Sequence, residues 1–262
     1  MSRFRDTFGE RDVLLLTLDA LRYDVAVAAL EGGRTPNLAR LLPKGWELRH
    51  APGTFTLPAH EAIFAGFFPT PPGPGPHPRP IAVRFPGSRT IDRDTLLLDG
   101  ACLVRGYAAA GYRTLCFGGT GFFDPSSPIG KSLVGRFHEV HWARDTSVAS
   151  PRASRLQCVR AAERIAQIPE RVFLFVNAAA THPPTRMFAR GEAAESPATQ
   201  LAALADFDRH LPVLLDALRA RGGAVGVVCA DHGTCFGEDG YVGHRYAHPL
   251  VWNVPYAEIE VS

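Results

Sequence analysis

The chain has no run approaching the roughly 20 consecutive apolar residues of a membrane span. Its first ten residues, Met-Ser-Arg-Phe-Arg-Asp-Thr-Phe-Gly-Glu, hold no apolar signal core. A chain that neither spans a membrane nor carries a leader is expected, in a cytoplasmic setting. Cysteine is scarce: five residues, at 102, 116, 158, 229 and 235, odd in number and without a C-x-x-C pair. They form no disulfide framework and read as reduced, mostly buried thiols. An excess of either charge is also missing. Lys and Arg number 28 against 26 Asp and Glu, a net charge of +2, which leaves no basic patch of the kind nucleic acid needs. There are no internal repeats.

What the chain does hold is apolar bulk. Its 262 residues are 46% hydrophobic, enough to bury one sizeable core. Short apolar runs read as strands at about 12–18, 46–50, 113–118, 171–178, 225–230 and 256–260. Helical patterns fall at about 35–43, 58–66, 96–110, 152–167 and 197–221. This alternation predicts a single α/β domain over 1–262: a three-layer α/β/α sandwich around a mostly parallel sheet. The segment Pro69–Pro86, rich in Pro and Gly, suits neither a helix interior nor a central strand. It either walls the site or is a plain surface loop.

The run Val225–Ala230 stops at Asp231-His232-Gly233. A buried parallel strand delivers such residues to the carboxyl edge of the sheet, where ligands bind in open α/β folds. One carboxylate oxygen and one imidazole nitrogen suit a divalent ion, although an Asp-His pair also makes an ordinary hydrogen-bonded turn. The first strand repeats the pattern: Asp12-Val-Leu-Leu-Leu-Thr-Leu ends at Asp19, a helix cap or a ligand facing the same crevice. Thr56 precedes Leu57-Pro58 and an apolar helical stretch, which puts it at or near a helix N-cap, beside the positive end of the helix dipole. Capping alone would also account for it.

These landmarks resemble the alkaline phosphatase superfamily, in its sulfatase-like branch, and within it a small bacterial group of sulfatase-like metalloenzymes. The resemblance is carried by Leu18-Asp-Ala-Leu-Arg-Tyr-Asp24, Thr35-Pro-Asn-Leu-Ala-Arg-Leu41, Thr56-Leu-Pro-Ala-His60 with Gly66-Phe-Phe-Pro69, Gly111–Gly119, Phe173–Asn177 with His182-Pro-Pro184, Ala230-Asp-His-Gly233, Gly243-His244 and Val254-Pro-Tyr256. They run in family order over nearly the whole chain. It implies an alkaline phosphatase-like α/β sandwich, here expected to lack the smaller C-terminal subdomain of larger sulfatases.

One departure bears on chemistry. Sulfatases oxidise a Cys or Ser of Cys-x-Pro-Ser-Arg to formylglycine; Thr56 has a β-methyl group and cannot give that aldehyde, and His60 replaces the motif Arg. The resemblance therefore points to the Thr-nucleophile members: phosphodiesterases, phosphonate hydrolases and phosphoethanolamine-type transferases. It implies a metal set of Asp19, Thr56, Asp231 and His232 holding one divalent ion, Zn²⁺ or Mn²⁺ before Ca²⁺, with a second ion open. It makes Thr56 the nucleophile, with His182 and His244 binding substrate and protonating the leaving oxygen.

His60, one helical turn after Thr56, either donates to a substrate oxygen or faces solvent. His248 competes with His244 for one role, and Gly243 before His244 favours the latter. Asp206 and His210 share the spacing of a second-ion motif but lie in an amphipathic helix and read as solvated surface. Cys235, next to the site, is the thiol expected to be most reactive. The expected function is a hydrolase of small phosphorylated molecules (phosphodiester, phosphomonoester or phosphonate) through a phospho-threonine intermediate, with a transferase or mutase, or a non-catalytic ligand-binding member, as alternatives. No nucleic-acid or membrane partner is expected. Neither the leaving group nor the oligomeric state can be read.

Overall fold

The computed structural model describes residues 9–66 and 102–262. Strand β1 (Asp12–Leu18) leads to α1 (Tyr23–Glu31), α2 (Pro36–Leu41), edge strand β2 (Glu47–His50) and α3 (Thr56–Ala65). After the segment outside the described residues come α4 (Leu103–Ala109), β3 (Arg113–Phe117), α5 (Pro128–Val134), β4 (Glu139–His141), α6 (Ala153–Ile165), β5 (Val172–Ala178) and α7 (Pro197–Ala220). The chain closes with β6 (Ala224–Cys229), a small hairpin of β7 (Cys235–Phe236) and β8 (Val242–Gly243), α8 (Pro249–Trp252) and β9 (Asn253–Val261). Pro69–Pro86, residues 67–69 of the motif that begins at Gly66 and residues 96–101 of the helix expected at 96–110 lie outside the described residues.

Seven strands form one sheet in the order β2-β9-β6-β1-β5-β3-β4. The five strands from β6 to β4 are parallel; β9 runs antiparallel to both β6 and β2. Strand residues alternate between faces, and the core divides accordingly. Leu14, Leu16, Leu115, Leu174 and Val228 face α1, α2, α6 and α7. Val13, Leu15, Cys116, Phe173 and Phe175 face α3, α4 and α5. This is the three-layer α/β/α arrangement expected from the sequence, with a mostly parallel sheet.

The differences are local. Helix α1, not expected, begins at Tyr23 and buries Val25, Ala26 and Ala29, small residues whose pattern is weak without a neighbouring sheet to reveal it. Strand β4 is three residues long and borrows its order from β3. Helix α3 begins at Thr56 itself; Phe55 occupies the N-cap and no side chain caps the helix. Thr56 is thus the first helical residue and not the cap.

Central in the sheet, β6, β1 and β5 lie side by side. Their carboxyl ends deliver Asp231-His232, Asp19 and Asn177 to one edge, and the N-terminus of α3 meets them there. Gly233 is required by close packing: a Cβ there would stand 2.0 Å from the Leu250 carbonyl oxygen, and its own N–H donates to Val251 O at 2.7 Å.

Candidate active site

Asp19, Asp231 and His232 are completely buried, and each offers a ligand atom within 4.8 Å of the other two. The His232 Nε2 lies 3.7 Å from Asp19 Oδ1, 3.5 Å from Asp231 Oδ2 and 3.4 Å from Thr56 Oγ1. These separations are long for hydrogen bonds. They match four donors around one tetrahedral ion, which stand roughly 3.3–3.6 Å apart when each bond is about 2.0–2.2 Å.

The second atom of each donor is anchored. The Asn177 amide donates to Asp19 Oδ2 at 2.9 Å. The backbone N–H groups of Ala20 and His232 donate to Asp231 Oδ1 at 3.2 and 3.0 Å. Nδ1–H of His232 donates to Gly233 O at 2.8 Å, which leaves Nε2 as a lone pair. The remaining carboxylate oxygens, Asp19 Oδ1 and Asp231 Oδ2, are buried without any hydrogen-bond partner. Buried charges persist when paired or bound to a metal, so a cation fits where these two oxygens and Nε2 converge.

The electrostatics agree. Burial, then the charge of Asp231, raises the Asp19 pKa to about 6. Burial raises that of Asp231 to about 7. Burial pushes His232 below its usual value. Two carboxylates held this close in a dry place favour any cation that lets both ionise.

Deeper support comes from Thr17 and His60. Nδ1–H of His60 donates to Thr56 O at 2.7 Å, and Nε2 stands 3.1 Å from Thr17 Oγ1, which in turn accepts from Asn177 Nδ2 at 3.2 Å. Phe64, Phe123 and Phe175 surround the ring. Burial depresses the His60 pKa to about 3. The alternative that His60 faces solvent is corrected: the ring is fully buried, and its nitrogens meet Thr56 O and Thr17 Oγ1. It braces the first turn of α3 against β1.

The open side carries two further imidazoles. The His244 ring lies 4.5 Å from that of His232 and 5.4 Å from that of His182. Burial and the neighbouring histidines lower the His244 pKa to about 3, and its Nδ1 is buried without a partner. Nδ1 of His182 is occupied by Pro183 O at 2.6 Å, which leaves Nε2 as its other hydrogen-bonding atom. His248 is used elsewhere: its Nδ1 accepts from Leu250 N at 3.1 Å and lies 3.3 Å from Cys235 Sγ, while Nε2 meets Asp239 at 3.1 Å. Geometry thus separates His244 from its competitor. Cys235, expected to be reactive, is 1% exposed and burial raises its pKa. Asp206 and His210 sit 4.0 Å apart on α7, half-buried, outside the cluster of metal-type donors.

Sequence reasoning missed Asn177 and Thr17. Asn177 had a signal, a polar residue closing an apolar strand. Thr17 had none, since its contacts with His60 and Asn177 come from strand register.

No family model and no curated protein sequence matches the chain. Solved structures do. The C-terminal periplasmic domain of phosphoethanolamine transferase EptC from Campylobacter jejuni superposes with a TM-score of 0.66 at 11% identity, covering 95% of this chain and 79% of that one. Phosphonate monoester hydrolase of Agrobacterium radiobacter gives 0.66 at 14%, covering 95% and 68%. A Vibrio parahaemolyticus protein of the alkaline phosphatase superfamily gives 0.61 at 19%, covering 95% and 60%. The chain shares the fold of these proteins, one of which is named as a member of the alkaline phosphatase superfamily. At these identities the likeness speaks for the fold, and this fold brings the ends of β1 and β6 beside the N-terminus of α3. Among the described residues no helix is long and apolar enough to cross a membrane.

Proposed function

We propose that this chain is a metal-dependent phosphoesterase that acts through Thr56 on a small phosphorylated molecule. One observation carries the reading: two buried, partnerless carboxylate oxygens, a bare imidazole nitrogen and the Thr56 hydroxyl converge at metal-ligand spacing. Asp19, Asp231, His232 and Thr56 would hold one divalent ion. Nitrogen and oxygen donors suit Zn²⁺ or Mn²⁺, and one structural neighbour, the C-terminal periplasmic domain of EcEptC from Escherichia coli, is a zinc complex. When bound, the ion would supply Lewis acidity and lower the pKa of the threonine hydroxyl.

The residues divide the remaining work. Thr56 Oγ1 attacks phosphorus and forms a phospho-threonine ester, which water then hydrolyses. At the start of α3, where Pro58 has no N–H and Ala59 N already donates to Phe55 O, the N–H groups of Thr56 and Leu57 and the helix dipole would stabilise the charge that develops on the phosphoryl oxygens. His182 and His244 bind those oxygens, and one of them protonates the leaving oxygen. Asn177, Thr17 and His60 keep the carboxylate and the helix in place. A transferase, passing the phosphoryl group to an acceptor other than water, is the second reading; the neighbour named as a phosphoethanolamine transferase favours it. A cytoplasmic setting rests on the free cysteines alone, since two of the neighbours are named as periplasmic domains.

The test is metal analysis of the purified chain with product analysis on an activated phosphodiester. Metal bound in the wild type and lost in Asp231→Asn, with turnover, supports the reading. Added alcohols or amines that appear in the product favour transfer over hydrolysis. Unchanged metal content and activity in Asp231→Asn overturn it.

A further inference from the structure

Ala20, directly after Asp19, has φ +58° and is completely buried. Residues with a side chain rarely adopt this left-handed region, and they stay there only where the surroundings hold them from several sides. Three polar atoms of the turn are held, each by a different element. Asp19 O accepts from Thr181 Oγ1 at 2.8 Å. Ala20 N–H donates to Asp231 Oδ1 at 3.2 Å. Ala20 O accepts from Gln200 Nε2 at 2.8 Å.

Gln200 lies near the start of α7, is completely buried, and has no part in the mechanism above. Its Nε2 also donates to Thr181 O at 2.9 Å, in the loop after β5. Its Oε1 accepts from Arg22 N at 3.3 Å, two residues past Ala20. These partners fix which end of the amide is which, since the flipped head would set its oxygen against two carbonyls. Two donors and one acceptor on one flat head are what the two loops require, and glutamine supplies them. Gln200 thus fastens the turn after β1 to the loop after β5.

The turn matters to the site through Asp231. Oδ1 of that carboxylate is gripped by two N–H groups, those of Ala20 and His232. The second belongs to the next residue along the chain. The first comes from the end of another strand, and it fixes the plane of the carboxylate. In that plane Oδ2 stays bare, 3.5 Å from His232 Nε2. We infer that Gln200 is a positioning residue for the candidate metal site: its amide locks Ala20 in the left-handed conformation that aims the Ala20 N–H at Asp231 Oδ1, and so keeps Asp231 Oδ2 free beside His232. This rests on the metal-dependent reading of the site and deepens it.

The experiment measures the zinc affinity of the full chain by competition with a chromophoric chelator, a readout without turnover. Gln200→Met keeps the volume and removes all three hydrogen bonds. Its zinc Kd should rise about 10- to 100-fold, the scale seen when a group that orients a metal ligand is lost. Gln200→Asn keeps the amide on a shorter stem that cannot span both loops, and its Kd should move the same way by less. The visible spectrum of the cobalt-loaded protein, which reports ligand geometry, should change in both. A merely structural Gln200 would lower the melting temperature and leave zinc Kd and cobalt spectrum untouched.

Ala20→Gly tests the route. Glycine takes a positive φ without being forced, so this change should tighten zinc binding about fivefold more in Gln200→Met than in the otherwise wild-type chain. An equal effect in both backgrounds overturns the inference, because Gln200 would then not act through Ala20. A zinc Kd within about twofold of wild type in Gln200→Met, or in Gln200→Asn should the former not fold, also overturns it and leaves the metal reading standing. A wild-type chain that binds no zinc overturns both.

Discussion

Strand β1 carries an aspartate at each end, and the two could hardly differ more. Asp12, at the amino end, is 4% exposed; Asp19, just past the carboxyl end, is fully buried. Asp12 is saturated. Arg221 Nε donates to it at 2.6 Å and Val172 N at 2.8 Å. Asp19 has one oxygen held by Asn177 and the other without a partner. The first carboxylate closes the core and joins α7 to β1. The second keeps an oxygen in reserve for a ligand. Burial alone does not separate a structural charge from a functional one; the count of unsatisfied atoms does.

The comparison breaks first at the nucleophile beside the open end. Thr56→Ala should cut hydrolysis of bis(4-nitrophenyl) phosphate by about a thousandfold or more, the scale seen when a nucleophile is removed. The melting temperature should barely move, because Thr56 makes no cap hydrogen bond. Turnover at the wild-type rate would reduce Thr56 to a bystander.

At the closed end, Asp12→Ala should cost about 1–3 kcal/mol, since it leaves the buried Val172 N–H without its acceptor and takes the carboxylate from the half-buried Arg221 guanidinium, which keeps its backbone carbonyl partners. Metal content and KM of the folded fraction should stay unchanged, and urea unfolding with metal analysis checks both. Asp231→Asn should do the opposite, abolishing metal binding while leaving the metal-free protein at least as stable as the wild type. Equal destabilisation by both variants would erase the distinction.

A smaller effect sharpens it through pH. In the metal-free protein the pKa values of Asp19 and Asp231 rise to about 6 and about 7, chiefly through burial. Carboxyl pKa values raised on folding mean that the folded state keeps protons the unfolded state releases. That contribution is fully present below the ordinary carboxylate range near pH 4 and is lost as pH climbs through about 6 and 7. The melting temperature of the metal-free chain should fall across this window, and fall less in Asp231→Asn. Zinc or manganese should raise it more at about pH 7.5 than at about pH 5, because protons compete for the same oxygens. A metal effect independent of pH would place the ion elsewhere. The smallest effect is expected on α7: Asp206→Asn should leave metal content and kcat/KM within about twofold of wild type, because the half-buried Asp206 lies outside the cluster of metal-type donors.

Much of this was legible in the residues. The apolar runs before Asp19, Asn177 and Asp231 could be read as buried strands, and the ends of two of them as ligand positions, because strand burial and chain direction are local properties. The choice of His244 over His248 was only weakly marked, by Gly243. It became clear once His248 was seen locked between Leu250, Cys235 and Asp239. Helix α1 escaped notice because its buried face is mostly alanine and valine. The burial of His60 was not legible, because helical spacing says which residues share a face and not what that face meets.

The sequence by itself determined the alternation of strands and helices, the carboxylates at strand ends and the threonine at a helix start, all set by patterns within a few residues. Tertiary structure alone decided which carboxylate is satisfied and which is left open. Asp12 finds its arginine 209 residues away, and Asp19 meets Asp231 and His232 only because β6 and β1 are neighbours in the sheet. Partnering of this kind depends on strand order and register, which no local pattern encodes.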